Sequence, residues 1–338
     1  MRQDRNFHTM IAPNLTFRFV RLSAITLFGF ILLTVQVHAI LFYDTADPTY
    51  NTTAPTGASA GSGWQYEAYF GQFLGTAIGP HDFVTAQHIG VQGGAFVQDT
   101  IFTGGPTQTF TIDTSANNGV GYYDISGTDL RVYKVNEVIS SWASLYTGGS
   151  ETGQSMVDTG RGSPKGGAIT GGWSLQGNDG VVRWGRNVIS SNTTFSGVGQ
   201  MLVSQFNATP GVDESYLSVG DSGGGTFIND GTGWKLAGIH YSIDLFSSSP
   251  TGSNPFSAAL YDARGYYHQT APGVWTLITG VSAVPANFYD SRISASATEL
   301  QAIVAIPVPE PGSALCLAIA GMLGFLSRRR RQAQDDKG

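Results

Sequence analysis

Short β-rich segments separated by turn residues run through most of this chain. Glycine accounts for 45 of the 338 residues, and the apolar spacing of a long helix is confined to the two termini. The clearest β-rich runs are residues 110–113, 130–135, 181–189, 201–206 and 234–243. Turn sequences separate them at residues 104–106, 117–119, 177–180 and 229–231. Many short strands with regular turns predict an all-β sandwich or barrel, and the sequence shows no fixed-period repeat of the kind that builds a propeller or solenoid.

The segments between these runs indicate how the chain is divided. Residues 146–172 are rich in glycine and are predicted to form a loop or a connection between two domains, with the boundary after residue 145. Residues 52–63 are predicted to form another surface loop. The apolar positions of residues 294–306 follow a helical spacing, which predicts a C-terminal helix packed on the second domain.

The first 39 residues have the layout of a secretory signal peptide. Arginines precede an apolar run at residues 22–35, and Ala39 offers a small residue for cleavage by a signal peptidase. The run is short for a membrane span, and a buried core helix is the alternative. The N-terminus therefore predicts export.

Residues 308–332 combine three features in a fixed order. Val308-Pro309-Glu310-Pro311-Gly312 comes first, an apolar stretch follows at residues 314–326, and four arginines occupy residues 328–331. This is a stop-transfer pattern, and it resembles the PEP-CTERM sorting signal of exopolysaccharide-producing Gram-negative bacteria. The resemblance implies a C-terminal transmembrane sorting helix, cleavage by an exosortase-like membrane transpeptidase, and a location at the cell surface or in the extracellular matrix. A plain single-helix anchor is the alternative.

Without its two termini the chain is strongly acidic. Residues 40–311 contain 9 Lys and Arg against 21 Asp and Glu, a net charge of −12. That balance disfavours nucleic acid or an anionic membrane as a partner. The only cysteine, Cys316, lies in the C-terminal apolar stretch. We therefore expect no disulfide, cysteine nucleophile or Cys/His zinc site in the exported part. No cofactor is predicted.

The segment Gly220-Asp221-Ser222-Gly223-Gly224 is the strongest candidate for chemistry. Glycines on both sides leave a serine hydroxyl exposed and let the backbone take positive φ angles, so that neighbouring N–H groups can converge on one point. An oxyanion hole requires such convergence. A glycine-rich turn with an incidental serine is the alternative.

Two further segments supply the residue types that a nucleophilic serine needs. An apolar run at residues 83–87 ends in His88, and Asp129 precedes the alternating run at residues 130–135. A base with a near-neutral pKa can accept the hydroxyl proton, and a carboxylate can fix the tautomer of that base. The sequence thus contains all three members of a catalytic triad.

These segments together resemble the chymotrypsin/trypsin family of serine proteases. Ala86-Gln87-His88 is similar to the family's Ala-Ala-His, Asp129-Leu130-Arg131-Val132 is similar to its Asp-Ile-Ala-Leu, and residues 220–224 match its Gly-Asp-Ser-Gly-Gly. The order of the motifs is also that of the family. The resemblance covers residues 71–267 and is weak between the motifs. Gly225 replaces the family's usual proline, and the family's cysteines beside the histidine and before the serine motif are absent, which leaves the pocket alignment open.

The resemblance implies both a fold and a mechanism. The fold is a pair of six-stranded antiparallel Greek-key β-barrels, one at residues 40–145 and one at residues 146–307. The mechanism is acyl transfer, in which Ser222 attacks a peptide carbonyl, His88 carries the proton and Asp129 orients His88.

The resemblance also assigns roles to the residues around Ser222. The backbone N–H groups of Gly220 and Ser222 would form the oxyanion hole. In the family, the aspartate that matches Asp221 pairs with a newly freed N-terminal amine and so supports the oxyanion hole. Signal cleavage after Ala39 would expose Ile40, so export would also be the activation step. A bond from Asp221 to an arginine or a backbone amide is the alternative.

The specificity pocket is predicted to lie among residues 213–219 and 239–244. Asp213, Glu214 or Asp244 would favour a basic substrate side chain in that pocket. Simple surface carboxylates are the alternative for these three residues.

An α/β-hydrolase esterase is an alternative enzyme. Residues 220–224 also satisfy Gly-x-Ser-x-Gly, and Asp262 and His268 follow in the order of that fold. However, the fold requires a helix after the serine, and Gly223-Gly224-Gly225 is poor helix material.

An exported serine endopeptidase that acts on a protein or peptide is the predicted function. A surface adhesion or scaffold protein built on a protease-like domain is the alternative from another class. Its signature would be a missing triad member, and all three residue types are present.

Overall fold

The computed structural model describes residues 40–209 and 213–308. The predicted signal peptide (residues 1–39) and all but the first residue of the predicted sorting segment (residues 308–332) lie outside these ranges. Within them, no helix is both long enough and apolar enough to cross a membrane.

The first part of the chain builds an open, seven-stranded antiparallel sheet. The strands up to residue 134 are β1 (Leu41–Phe42), β2 (Glu67–Phe70), β3 (Phe73–Gly79), β4 (Asp82–Ala86), β5 (Phe96–Gln98), β6 (Gln108–Phe110), β7 (Tyr122–Asp124) and β8 (Leu130–Lys134). The sheet has the order β6-β5-β2-β3-β4-β8-β7, and β1 pairs elsewhere. Two short helices, α1 (Thr100–Thr103) and α2 (Ala116–Gly119), lie between strands, as do the 3-10 turns Gly57–Ser59, Trp64–Tyr66 and Gln87–Ile89.

The second part of the chain builds a closed, six-stranded barrel. Its strands are β9 (Ser155–Gly160), β12 (Arg183–Phe195), β13 (Gly199–Gln205), β15 (Gly225–Asn229), β16 (Trp234–Ile243) and β21 (Asn287–Arg292), in the order β12-β13-β21-β16-β15-β9. The remaining strands form small sheets: β10 (Lys165–Ile169), β11 (Gly172–Leu175), β14 (Ser215–Tyr216), β17 (Phe246–Ser247), β18 (Ala258–Leu260), β19 (Tyr267–Ala271) and β20 (Val274–Leu277). Helix α3 (Ala297–Val304) follows β21, within the predicted helical segment.

The N-terminal sheet differs from the six-stranded barrel that the sequence predicts. It has seven strands, and the segment after β6 returns to β8 through one bridge, between Ile112 and Val135. Asp113 N donates to Lys134 O beside that bridge, at 2.9 Å. A single bridge is too short a ladder to close the sheet, so this unit is a half-barrel.

Residues 146–172 are not the simple loop that their composition predicts. They contain β9 and β10, and β9 is a barrel strand that pairs with β12 and β15. Its residues 156–160 are buried although the strand includes Asp158 and Thr159. The prediction failed here because these polar side chains are buried instead of facing water. The domain boundary after residue 145 stays a prediction.

An apolar cluster joins the sheet to the barrel. Its members include Val84 and Ala86 from β4, Leu130 and Val132 from β8, Leu236 and Ile239 from β16, and Leu300 and Ile303 from α3. The C-terminal helix therefore packs on both units, not on the barrel alone as predicted. Burial of apolar surface contributes about 25 cal/mol per Å², so this cluster holds β4, β8 and β16 together.

Candidate active site

The pairing of β4 with β8 brings His88 next to Asp129. Ala86, the last residue of β4, lies opposite Leu130, the first residue of β8. Gln87 N then donates to Asp129 O at 2.7 Å. His88 lies in the 3-10 turn that follows β4. Residues 41 positions apart in sequence therefore become neighbours at one end of an antiparallel ladder.

The turn that carries Ser222 reaches the N-terminal sheet through Gly223. This glycine has a φ of +85°, and an added Cβ would collide with Thr85 Oγ1 and lie 2.5 Å from Leu74 O. Any larger residue would force the turn away from β3 and β4. The glycine after the serine is thus what allows the two units to meet at Ser222.

A continuous chain of hydrogen bonds links Asp129, His88 and Ser222. Asp129 Oδ2 lies 2.6 Å from His88 Nδ1, and Asp129 Oδ1 accepts from the backbone N–H of His88 at 2.8 Å. Ser222 Oγ lies 2.8 Å from His88 Nε2. The side chains of His88 and Asp129 are 37% and 6% exposed. A carboxylate can only accept, so Nδ1 carries the proton in neutral His88, and the lone pair of Nε2 faces the Ser222 hydroxyl.

The backbone beside Ser222 offers two unused donors. Gly220 has a φ of +104°, a conformation that favours glycine. Within residues 40–209 and 213–308, the N–H groups of Gly220 and Ser222 donate to no protein acceptor. Free N–H groups next to a serine hydroxyl can bind an anionic oxygen.

The buried side chain of Asp221 holds this turn in place by hydrogen bonds to Gly162 and Ser218. It is 1% exposed; its Oδ1 accepts from Gly162 N at 2.6 Å, and its Oδ2 accepts from the N and Oγ of Ser218 at 2.7 and 2.9 Å. Burial raises the pKa of Asp221 although these bonds oppose the rise. Asp221 therefore bonds to backbone amides. A bond of this kind was the sequence-based alternative to pairing with a free N-terminal amine.

Ile40 directly precedes β1, and β1 pairs with β14 in the chain leading to the Ser222 turn. It is buried, and its neighbour Leu41 lies opposite Tyr216 in the β1–β14 pair. The predicted bond between an Ile40 amine and Asp221 stays a prediction.

A cavity of about 450 Å³ opens beside Ser222. Both segments predicted for the specificity pocket contribute to its wall, through residues 217–219 and 240–243. Leu217, Val219, Ile243 and Phe73 make much of this wall apolar.

The three carboxylates proposed for that pocket lie elsewhere. Asp213 accepts from Tyr50 Oη at 2.5 Å, Glu214 from Asn207 N at 2.8 Å and Asp244 from Tyr289 Oη at 2.7 Å. None of the three lines the cavity. Glu214 and Asp244 are also buried, so describing them as surface carboxylates is wrong as well. The prediction failed because sequence proximity to the pocket segments does not determine which way a side chain points.

Tyr241 is a site residue that the sequence did not single out. Its ring meets the His88 ring edge to face, with centroids 5.4 Å apart and an interplanar angle of 87°. It packs on the histidine beside the cavity and limits how far that ring can swing. The sequence signal was its position within residues 239–244, one of the two segments predicted for the specificity pocket.

Asp262 and His268, the two other residues of the esterase alternative, contact residues other than Ser222. Asp262 Oδ2 binds Arg264 Nη2 at 2.6 Å, and His268 Nε2 lies 3.1 Å from Asp244 Oδ1. The segment after Ser222 becomes strand β15, whereas that fold places a helix there.

No group of three His, Cys, Asp or Glu residues in the described ranges could hold a metal ion. His81, which the sequence places near His88, has its Nδ1 3.0 Å from the carbonyl oxygen of Val135. Its contact is therefore to the backbone.

Comparison with known proteins identifies a sorting motif in the C-terminal segment. Residues 307–331 match the PEP-CTERM protein-sorting motif. This motif implies recognition by an exosortase-like processing system and points to export and to a surface or membrane-associated location in a Gram-negative bacterium. No curated protein matches the chain.

Two solved structures resemble the chain at low similarity. One is the passenger domain of plasmid encoded toxin, an autotransporter enterotoxin from enteroaggregative Escherichia coli; it has a TM-score of 0.40 and 13% identity over 70% of this chain. This chain spans only 22% of that passenger domain. The other, designated HBP, has a TM-score of 0.42 and 14% identity, covering 73% of this chain and 95% of the other. Similarity at this level supports no assignment of function.

Proposed function

We propose that this chain is an exported serine endopeptidase with His88, Asp129 and Ser222 as its catalytic triad. The observation that carries the proposal is the unbroken hydrogen-bond chain from Asp129 through His88 to Ser222. It lies at the mouth of a cavity large enough for an amino-acid side chain. The half-barrel and the barrel are then the two lobes of a chymotrypsin-like fold, with the site between them.

The geometry accounts for each step of acyl transfer. Ser222 Oγ passes its proton to His88 Nε2 as it attacks the scissile carbonyl, and Asp129 stabilises the imidazolium that forms. The N–H groups of Gly220 and Ser222 bind the developing oxyanion. His88 then donates its proton to the leaving amine, and water hydrolyses the acyl-enzyme by the same route.

Asp221 supports the oxyanion hole in this mechanism. By binding the Gly162 and Ser218 amides, it holds the segment before Ser222 in the conformation that exposes the Gly220 N–H. We further propose that a signal peptidase and an exosortase-like enzyme process the two termini during export, and that the substrate is a protein or peptide.

The variant Ser222→Ala tests the proposal in the exported protein. We expect wild type to react with a fluorophosphonate probe and to cleave a peptide library, and Ser222→Ala to do neither while keeping its circular dichroism spectrum. Both losses follow from removal of the only hydroxyl that faces His88 Nε2 in the described chain.

Ser191→Ala, at an exposed position of β12, is the matched control and should keep both activities. Cleavage of the library by Ser222→Ala at the wild-type rate would disprove the assignment. Folded wild type that neither reacts nor cleaves would favour the adhesion or scaffold function. Cleavage of ester substrates alone would favour an esterase.

A further inference from the structure

A second histidine–aspartate pair lies behind the Ser222 turn, and the proposed chemistry does not use it. His240 on β16 and Asp290 on β21 lie opposite each other in the barrel. They are 1% and 0% exposed, and His240 Nδ1 lies 2.6 Å from Asp290 Oδ1. Ionisable residues are rarely buried this fully unless they are paired.

Both ring nitrogens of His240 face acceptors. Nδ1 faces the Asp290 carboxylate, with Thr226 Oγ1 farther off at 3.4 Å, and Nε2 lies 3.0 Å from the carbonyl oxygen of Thr159. A neutral imidazole has one N–H donor, whereas an imidazolium has two. With Asp290 as a carboxylate, only the doubly protonated ring can therefore satisfy Asp290 and Thr159 together.

The acidic groups around the ring favour that charged form. Four carboxyl groups act on it: Asp290 on β21, Asp158 on β9, Glu67 on β2 and Asp221 in the serine turn. Burial lowers the pKa of His240, but the Asp290 charge and hydrogen bond and the charges of Asp158 and Asp221 outweigh burial and raise the pKa to about 9. Burial raises the pKa of Glu67 to about 8, so this carboxyl is largely neutral at pH 7.

His240 is also bonded to the two residues that follow Ser222. Its backbone N donates to Gly224 O at 2.9 Å, and its carbonyl oxygen accepts from Gly223 N at 3.2 Å. An added Cβ at Gly224 would collide with Thr159 O and lie 2.9 Å from Cδ2 of the His240 ring. The ring and Thr159 therefore form the surface on which Gly224 packs.

We infer that His240 is a positioning residue for Ser222: as an imidazolium held between Asp290 and Thr159, it fixes Gly223 and Gly224 and thereby aims the Ser222 hydroxyl at His88. This role rests on the proposed function, since it presumes that Ser222 is the nucleophile. Loss of the His240 proton at alkaline pH would leave a lone pair against one of the two acceptors. The turn would then relax, and turnover would fall without a change in substrate affinity.

The pH profile of the exported protein tests this role. We expect kcat and the rate of fluorophosphonate labelling in wild type to fall with a midpoint near pH 9, while KM stays constant. Asp290→Asn removes the nearest negative charge and should move that midpoint down by at least about one pH unit.

His240→Gln should lower kcat at pH 7 at least about tenfold, because neutral glutamine cannot supply the charge. His268→Gln, at a histidine paired with Asp244 outside the cavity, is the matched control and should leave kcat and the profile unchanged.

A nitrogen NMR spectrum of histidine-labelled wild type and Ser222→Ala reports the protonation of His240 without any need for activity. We expect both ring nitrogens to be protonated at pH 7 in both proteins, and this readout remains if His240→Gln fails to fold. Normal labelling with a neutral His240 at pH 7, or an Asp290→Asn profile that coincides with wild type, would overturn the inference alone. Wild type that reacts with no probe at any pH would overturn the proposed function, and the positioning role with it.

Discussion

Asp129 makes two different contacts with His88, and each restrains a different part of the histidine. Oδ1 accepts from the backbone N–H, which fixes the turn after β4, and Oδ2 accepts from the ring, which fixes its tautomer. Tyr241 limits rotation of the same ring from another side. The orientation of the His88 ring therefore depends on one carboxylate and one aromatic face.

Asp129→Asn is expected to lower kcat by roughly 10⁴-fold, as in the triad of the family that the chain resembles. An asparagine amide has one acceptor and one donor end, so it cannot accept from both the backbone and the ring. The ring would then turn its proton towards Ser222, where a lone pair is needed. Steady-state peptide cleavage measures the loss.

Asp124→Asn is the matched control for that variant. Asp124 binds Arg131 of β8 at 2.6 Å, away from His88. A loss below tenfold in Asp129→Asn, or an equal loss in both variants, would contradict the proposed role of Asp129.

At the scale of elements, the β4–β8 pair carries both His88 and Asp129, and a buried ion pair holds its far end. Asp82 lies opposite Lys134 in the ladder, and Lys134 Nζ lies 2.7 Å from Asp82 Oδ1. The two side chains are 1% and 2% exposed. The register that places His88 beside Asp129 is thus fixed at the other end by charge.

Lys134→Met is expected to lower the free energy of unfolding by about 3–5 kcal/mol, because it leaves the Asp82 carboxylate buried without its partner. Urea unfolding followed by tryptophan fluorescence measures the change. The folded fraction should still react with a fluorophosphonate, since the site itself is untouched.

Lys235→Met provides the comparison at a half-buried lysine of the barrel, with an expected change below about 1 kcal/mol. Equal effects of the two variants would show that the Lys134–Asp82 pair has no special role in stability.

For the whole molecule, buried ionisable groups make stability depend on pH. The folded pKa is raised to about 9 for His240, about 8 for Glu67, about 7 for Glu214 and about 6 for Asp158. Burial is the largest cause for the three acids, and for His240 the surrounding carboxylates outweigh it. All four groups bind protons more tightly in the folded chain than in the unfolded one. Stability therefore falls as pH rises through these values.

The urea midpoint is accordingly expected to be lower at pH 9 than at pH 6. Glu67→Gln should reduce this difference, because a neutral amide still accepts from Thr76 and has no proton to lose. Glu299→Gln, at an exposed position of α3, should keep the wild-type difference. A midpoint that rises from pH 6 to pH 9 would refute the prediction.

The β-rich character of the chain and the residues of the candidate site could both be predicted from the amino-acid sequence. Both are local properties: turn glycines and alternating runs act within a few residues, and the serine motif carries the glycines that its own backbone requires. The C-terminal sorting motif is likewise complete within a short segment.

The tertiary structure shows how those segments combine. It left the first sheet a half-barrel, made β9 a barrel strand, directed Asp213, Glu214 and Asp244 away from the cavity, and placed the buried His240–Asp290 pair behind Ser222. These outcomes depend on strand register and on packing between residues far apart in sequence, which no short stretch of sequence specifies. The same long-range pairing brings Asp129, His88 and Ser222 within hydrogen-bond distance.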